Sequence, residues 1–272
     1  MGNKKTGTQK HLIFLMEKKN AAKVSVLIPA FNEAQYIRKT LKAILRQDYS
    51  DFEVIVVNNA STDSTEETVK SFIAEHQGSS DRIRMVFEAR RGTNNARECG
   101  RKLATGDIIA QLDADCIPSA DWISKAVRQL QRNNVVAVTG PYDYYDSNFF
   151  RRQLTLLAQL IFYPIINAIV QINRRGGIII GGNSFIDAAV LEKAGGYNVD
   201  LTFYGDDRDI AKRITPFGWI VYAPHLILKT SSRRFDALGF GNVQKKYRKA
   251  FFDLIFLKGI KINESIELIH PR

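Results

Sequence analysis

Between residues 24 and 115 four short runs of aliphatic and β-branched residues alternate with three amphipathic stretches, and this alternation restricts the fold more than any other feature of the chain. The runs are KVSVLIPAFN, FEVIVVNN, RIRMVFE and GDIIAQLDAD, continuous in apolar character rather than alternating, as expected of strands buried on both faces. Between them, NEAQYIRKTLKAIL places Ile37, Leu41, Ile44 and Leu45 on one helical face, with Asn32 as the expected cap. ASTDSTEETVKSFI opens on Ser, Thr and Asp, and NNARECGRKLA supplies the third helix. The pattern predicts an α/β fold with a Rossmann-like, mostly parallel central sheet and flanking helices. In such sheets ligands bind beyond the carboxyl ends of the strands, which directs attention to the loops 29–33, 58–63 and 113–115.

Beyond Trp122 the alternation weakens. A helix to Gln131 and a strand VVAVTG lead to a long apolar segment, a glycine-rich stretch with a short helix, and an acidic turn, FYGDDRDIAKRI. No Pro/Ser/Gly linker divides the 272 residues, and 45 % apolar content is enough for one sizeable core. The expected organisation is a basic arm over 1–23, one domain over 24–228 and a basic helical tail over 229–272. Two cysteines, Cys99 and Cys116, indicate neither a disulfide scaffold nor a CxxC zinc site, and no cleavable secretory signal is evident, so a reducing compartment is expected.

The net charge of +11 belongs to the two ends, and the middle of the chain is neutral. Solvated tails, an anionic membrane surface and nucleic acid all fit such ends. Residues 153–173 carry no charge and are flanked by Arg151 and Arg152 on one side and Arg174 and Arg175 on the other. Thr155, Gln159, Tyr163, Asn167 and Gln171 recur every four positions, and Pro164 predicts a kink. A membrane-spanning helix, a core helix, and a helix whose apolar face rests in the membrane interface with the arginines near lipid phosphates remain open.

Three constellations carry chemistry. Asp113 and Asp115 close the fourth strand, where two carboxylates at i, i+2 suit a hard divalent cation shared with a diphosphate; a solvated turn is the simpler alternative. Gly205, Asp206 and Asp207 open a helix, where the acids serve either as caps or as a general base toward an acceptor hydroxyl. Gly181 and Gly182 precede Asn183 and Ser184, giving Asn183 an amide for a sugar hydroxyl, although ordinary turn chemistry accounts for the same glycines. The dinucleotide fingerprint GxGxxG, the phosphate loop GxxxxGK[ST] and the GxSxG elbow are absent, and His11, His76, His225 and His270 have no metal-ligand spacing.

Taken in order, VSVLIPAFNE, VIVVNNASTD, GTNNARECGRKLATGDIIAQLDADCIP, GGNSFIDAAVLEKAGGY and YGDDRDIAKRI resemble the family 2 glycosyltransferases of the GT-A fold, over 24–234, roughly three quarters of the chain. The resemblance implies an enzyme that takes a sugar from a nucleotide-diphosphate donor, usually with inversion, with Mg²⁺ or Mn²⁺ on the diphosphate. It implies that Pro29, Phe31 and Glu33 hold base and ribose, that Asn59 contacts the base, and that Arg97 supports the nucleotide pocket. Asp113 is then shared between ribose and metal, Asp115 is the direct metal ligand, and Asp207 is the base, with Asp206 beside it.

The chain departs from the family at several points. Asn58 stands where many members have aspartate, and no QxxRW follows the acidic turn, which argues for transfer of a single sugar rather than polymer synthesis. His225 is a weak match to a histidine that completes the metal shell in some members, and within TSSRR either Arg233 or Arg234 is placed for the diphosphate or is surface charge. The basic ends and the apolar segment point to a lipid-linked acceptor in cell-envelope or exopolysaccharide synthesis, at the inner face of the cell membrane. The rival readings are an inactive nucleotide-sugar-binding module and a basic nucleic-acid binder. KKYRKAFF favours the latter slightly, and the acidic loops oppose it.

Overall fold

The computed structural model describes residues 22–78, 81–173, 176–201 and 205–233, together with 235, 239–242 and 245. Most of the basic N-terminal arm, Arg174 and Arg175, Arg234, the KKYRKAFF segment beyond Lys245 and the rest of the basic tail lie outside the described residues, as do His11 and His270.

The four apolar runs form β1 (Val24–Ala30), β2 (Phe52–Asn58), β3 (Ile83–Phe87) and β4 (Ile108–Leu112). They are joined by α1 (Ile37–Ile44), α2 (Thr65–Glu75) and α3 (Thr93–Leu103). After α4 (Trp122–Leu130) come β5 (Val135–Thr139), β6 (Tyr142–Tyr144), the long α5 (Phe149–Ile172), β7 (Asn183–Asp187) and α6 (Ala188–Lys193). The acidic turn opens α7 (Asp206–Ile214), followed by β8 (Trp219–Tyr222) and β9 (Leu228–Thr230). The main sheet has the order β3-β2-β1-β4-β7-β5-β8, with β6 and β9 as a separate parallel pair. Only β7 runs against its neighbours, so the sheet is mostly parallel as the sequence predicts.

Strands β1, β2 and β4 are apolar on both faces because both faces are covered. Val24, Val26 and Ile28 join Val54, Val56, Leu41 and Phe72 in one cluster, while Leu27, Ile55, Val57 and Ile109 join Ala96, Ile186 and Ile210 in the other. The chain winds from β1 outward through β2 to β3 and returns to place β4 on the other side of β1. Pairing between those two strands ends at Leu27↔Gln111, before Pro29, which has no N–H to offer a ladder. The loops carrying Phe31 to Glu33 and Asp113 to Asp115 therefore leave the sheet side by side, at its topological switch point.

Two expectations are corrected, and the direction of the polar stripe, left open by the sequence, is resolved. Asn32 does not cap α1: the helix begins at Ile37 after Tyr36, and Asn32 sits at φ 54° with its side-chain oxygen accepting from the Thr62 N–H. The boundary at 228/229 falls inside β9, and Lys229 accepts from the Ile117 N–H, so the first residues of the supposed tail belong to the domain. The polar stripe of the apolar segment faces inward. Thr155, Gln159, Asn167 and Gln171 are buried, and the helix continues unbroken through Pro164.

Candidate active site

One buried and one half-buried guanidinium group, those of Arg97 and Arg233, organise the acids at the sheet's carboxyl edge. Arg97, on α3, bonds Asp206 at 2.9 Å and lies 3.7 Å from Asp207 and 3.8 Å from Asp113. Burial opposes its charge, but Asp206, Asp207 and Asp113 overcome that and hold the guanidinium above its usual pKa. Arg233 reaches the site from the end of β9, its Nη2 2.6 Å from Glu33 and 2.8 Å from Asp115. Its approach is fixed by Asp146, which accepts from the Ser231 hydroxyl and the Ser232 N–H, both at 2.6 Å. The guanidinium also lies over the Tyr36 ring.

The Asp113 and Asp115 loop is held from three directions. Thr40 on α1 donates its hydroxyl to the Ala114 carbonyl at 2.7 Å, and the Cys116 N–H bonds the Asp113 carbonyl at 3.1 Å. The Tyr142 hydroxyl donates to Asp113 at 3.2 Å. Asp113, Asp115 and Cys116 each offer a ligand atom within 4.8 Å of the others. Burial raises the Cys116 thiol well above its ordinary pKa, so the two carboxylates are the donors of this set. An all-oxygen pair fits Mg²⁺ or Mn²⁺ rather than a thiolate-seeking metal.

Asp207 stands in the first turn of α7, whose cap is Gly205 at φ 106°. One carboxylate oxygen accepts from the Gly181 N–H at 3.0 Å, and the carboxylate remains open to the cleft. Its recessed position and the adjacent Asp206 push the carboxyl from 3.8 up to about 7, against the pull of Arg97 and the Gly181 N–H. The glycines beside it are required by space: a Cβ on Gly181 would collide with Asp207 and Arg97, and one on Gly182 with Asp113 and the Tyr142 hydroxyl. That backbone is the floor joining the two acidic constellations.

The base-side residues separate into two groups. Pro29 and Phe31 are half-buried at the end of β1, with Arg91 stacked 4.8 Å over the Phe31 ring. Asn59 does not face the cleft. Its amide donates to the Glu88 and Arg90 carbonyls and accepts from the Gly92 N–H, which shapes the loop that carries Arg91. Glu33 is fully buried, its N–H bonded to Thr65 and its carboxylate to Arg233, so it anchors that arginine.

Asn183 is likewise corrected. It is fully buried, its oxygen accepts from the Trp122 indole at 2.8 Å, and its amide donates to the Pro141 and Leu226 carbonyls. With its polar atoms engaged, Asn183 joins β7 to the neighbouring loops and offers nothing to a sugar. Asn58 donates to Glu66 at 3.1 Å and accepts from the Ser61 N–H, a pairing that an aspartate would turn into repulsion. His225 is exposed beside Gln129, outside the acidic cluster. Sequence reasoning missed Tyr142, Asp146 and Arg91; the alternating aromatics and acids of YDYYD were the one signal for the first two.

Known proteins resemble this chain in sequence and in fold. The glycosyl transferase family 2 profile matches residues 25–195. The probable glycosyltransferase YdaM of Bacillus subtilis is 32% identical over 216 residues, 74% of this chain and 48% of that protein. The Escherichia coli UDP-Glc:alpha-D-GlcNAc-diphosphoundecaprenol beta-1,3-glucosyltransferase WfgD is 29% identical over 126 residues, 46% of this chain and 47% of that protein. The chain therefore spans about half the length of these curated relatives. Among solved structures, the mannosyltransferase PcManGT of Pyrobaculum calidifontis, in complex with GDP-Man and Mn²⁺, superimposes with a TM-score of 0.64 at 23% identity, covering 90% of this chain and 74% of that one. The sheet order and these likenesses make the fold GT-A, and the extent of the profile match places this chain in glycosyl transferase family 2.

Proposed function

We propose that the chain transfers one sugar from a nucleotide-diphosphate sugar to an acceptor hydroxyl or phosphate, with inversion, in cell-envelope or exopolysaccharide glycan synthesis. One observation carries the reading: Asp113 and Asp207, 94 positions apart in the sequence, are brought to the two terminal nitrogens of one buried Arg97 guanidinium, at 3.8 and 3.7 Å. Asp207 is the base. Its carboxylate takes the acceptor proton as the acceptor oxygen attacks the anomeric carbon and the bond from that carbon to the diphosphate breaks. A carboxyl raised to about 7 retains appreciable basicity while being largely ionised above that pH.

Asp113 and Asp115 would hold Mg²⁺ or Mn²⁺, which supplies neutralising charge for the diphosphate oxygens. Phe31 and Arg91 provide a flat, cationic surface beside the end of β1 for the donor base, and Arg97 keeps the acids in register. The name of WfgD, a glucosyltransferase acting on a diphosphoundecaprenol-linked sugar, supports a lipid-linked acceptor for this chain, and with such an acceptor the protein works at the inner face of the cell membrane.

The test is thermal-shift binding of UDP, GDP, CDP and dTDP, each with and without Mn²⁺, followed by product anomer assignment by NMR with the donor that binds. One diphosphate that stabilises the protein only with metal, and a product of opposite anomeric configuration, are the expected results. Binding without turnover on any lipid-linked or soluble acceptor would favour the inactive module, and no shift with any diphosphate would overturn the donor site.

A further inference from the structure

Helix α5 is built the wrong way round for a helix on a water-soluble surface. Its inner face is polar. Gln171 donates to the Ile220 carbonyl and accepts from the Ile220 N–H, Asn167 donates to the same carbonyl, and Gln159 makes the same two-way pair with the Tyr142 backbone. Its outer face is apolar: Phe149, Phe150, Leu154, Leu157, Ile161, Phe162, Ile165, Ile169 and Ile172 are all exposed, Phe150 by 83 % and Ile172 by 73 %. At 24 residues this strip is about 36 Å long.

We infer that the outer face of α5 lies flat on an anionic lipid surface. The inner amides fasten the helix to β6 and β8 at points along its length, so it cannot cross a bilayer without tearing three sets of hydrogen bonds from strand backbone. No aspartate or glutamate occurs from 147 to 186, whereas arginine pairs occur at 151–152, in the first turn of the helix, and in sequence just past its end at 174–175. Arg152 is itself engaged by Asp143 at 2.5 and 2.6 Å, so the attraction is supplied chiefly by the +11 net charge, concentrated at the chain ends. Charge also decides between occupants: a second copy would bring its own +11 net charge against this one, while an acidic bilayer complements both the net charge and the apolar strip.

The helix is tied to the site through its inner face, since Gln159 grips the backbone of Tyr142 and the Tyr142 hydroxyl touches Asp113. The acids then work beside the lipid boundary, where a substrate with a membrane-embedded tail would present its head group. The docking itself does not depend on the sugar-transfer reading.

The experiment uses the full chain, with sedimentation on sucrose-loaded vesicles of phosphatidylcholine alone or mixed with phosphatidylglycerol. The protein is expected to pellet with the mixed vesicles at low salt, and Leu157→Glu/Ile161→Glu/Ile165→Glu to lower its partition coefficient about tenfold or more while nucleotide binding is kept. A Phe162→Trp variant, independent of any folding defect in the triple variant, should shift its emission to the blue on the same vesicles. Failure of the unaltered protein to pellet, unchanged partition of the triple variant, or a solution dimer that the triple variant dissociates would each overturn the inference.

Discussion

The two halves of the sheet are joined to their surroundings by different chemistry. Around β1, β2 and β4 the contacts are apolar on both faces, with Leu41, Val69 and Phe72 packed on one side and Ala96 on the other. Around β5, β7 and β8, side-chain amides and hydroxyls are bonded directly to strand and loop backbone. Thr139 donates to the Asn183 carbonyl, Asn183 spans Trp122, Pro141 and Leu226, and Gln171 pairs with Ile220. The first half can be assembled from neighbours in sequence, whereas the second closes only when residues far apart meet with correct geometry. The candidate site lies on the seam, with Asp113 from the first half and Asp207 from the second.

The largest effect is expected at that seam. Asp207→Asn should lower turnover by about 10⁴-fold, because the neighbouring Asp206 is engaged by Arg97, while donor binding persists. Turnover of the unaltered protein should rise with pH through about 7 as Asp207 ionises. Stability should move in the opposite direction. A carboxyl whose pKa is raised on folding binds its proton more tightly in the native state, so its contribution falls as pH climbs from about 4 through about 7. Asp207→Asn should flatten that part of the melting-temperature profile, and an unchanged profile with normal turnover would remove Asp207 from the mechanism.

Removing the stitch between the halves should cost the next largest amount. Arg97→Met leaves Asp113, Asp206 and Asp207 facing one another without a cation, for a loss of about 3–5 kcal/mol in urea unfolding. Part of this should be recovered at low pH, where the acids take up protons. Loss of stability that is the same at pH 5 and pH 8 would show that Arg97 acts by packing rather than by charge.

Within the first half, Leu41→Ala should cost about 2–4 kcal/mol, because Leu41 is fully buried in the cluster it shares with β1, β2, β4 and the helices α2 and α4. Donor affinity in the surviving folded fraction should hardly change. A large loss of nucleotide binding with little loss of stability would contradict the view that this half is a scaffold set by apolar packing.

This division also explains what was legible in the sequence. Strands β1 to β4 announce themselves by continuous apolar runs, and their helices by three- and four-residue spacing, since each signal is local. β7 did not: NSFID is short, follows glycines, and becomes a central antiparallel strand only through pairing with β4 and β5. The acids Asp113, Asp115 and Asp207 could be singled out because they follow an apolar strand or open a helix, but solvated turns and helix caps use the same positions, so the pattern alone left their role open. Asn59 and Asn183 were misread because an amide serves backbone or ligand equally well, and the choice depends on what faces it. For Asp146 the YDYYD run was a signal of position only, since the Ser231 and Ser232 groups it holds lie 85 and 86 positions away.

The smallest effect tests the second half and the inverted helix together. β8 is an edge strand, and the Gln171 amide occupies the place of a further strand by giving to the Ile220 carbonyl and taking from its N–H. Gln171→Leu keeps the bulk and adds apolar character, yet it removes a partner from the Ile220 N–H and carbonyl. The expected cost is about 1–3 kcal/mol, with faster hydrogen exchange at the Ile220 amide. Two residues earlier, on the outer face, Ile169→Gln makes the reverse change and should stay within about 0.5 kcal/mol in lipid-free buffer. If Gln171→Leu stabilised the protein while Ile169→Gln destabilised it, the helix would face the other way, and the polar stitching that distinguishes the second half would not exist.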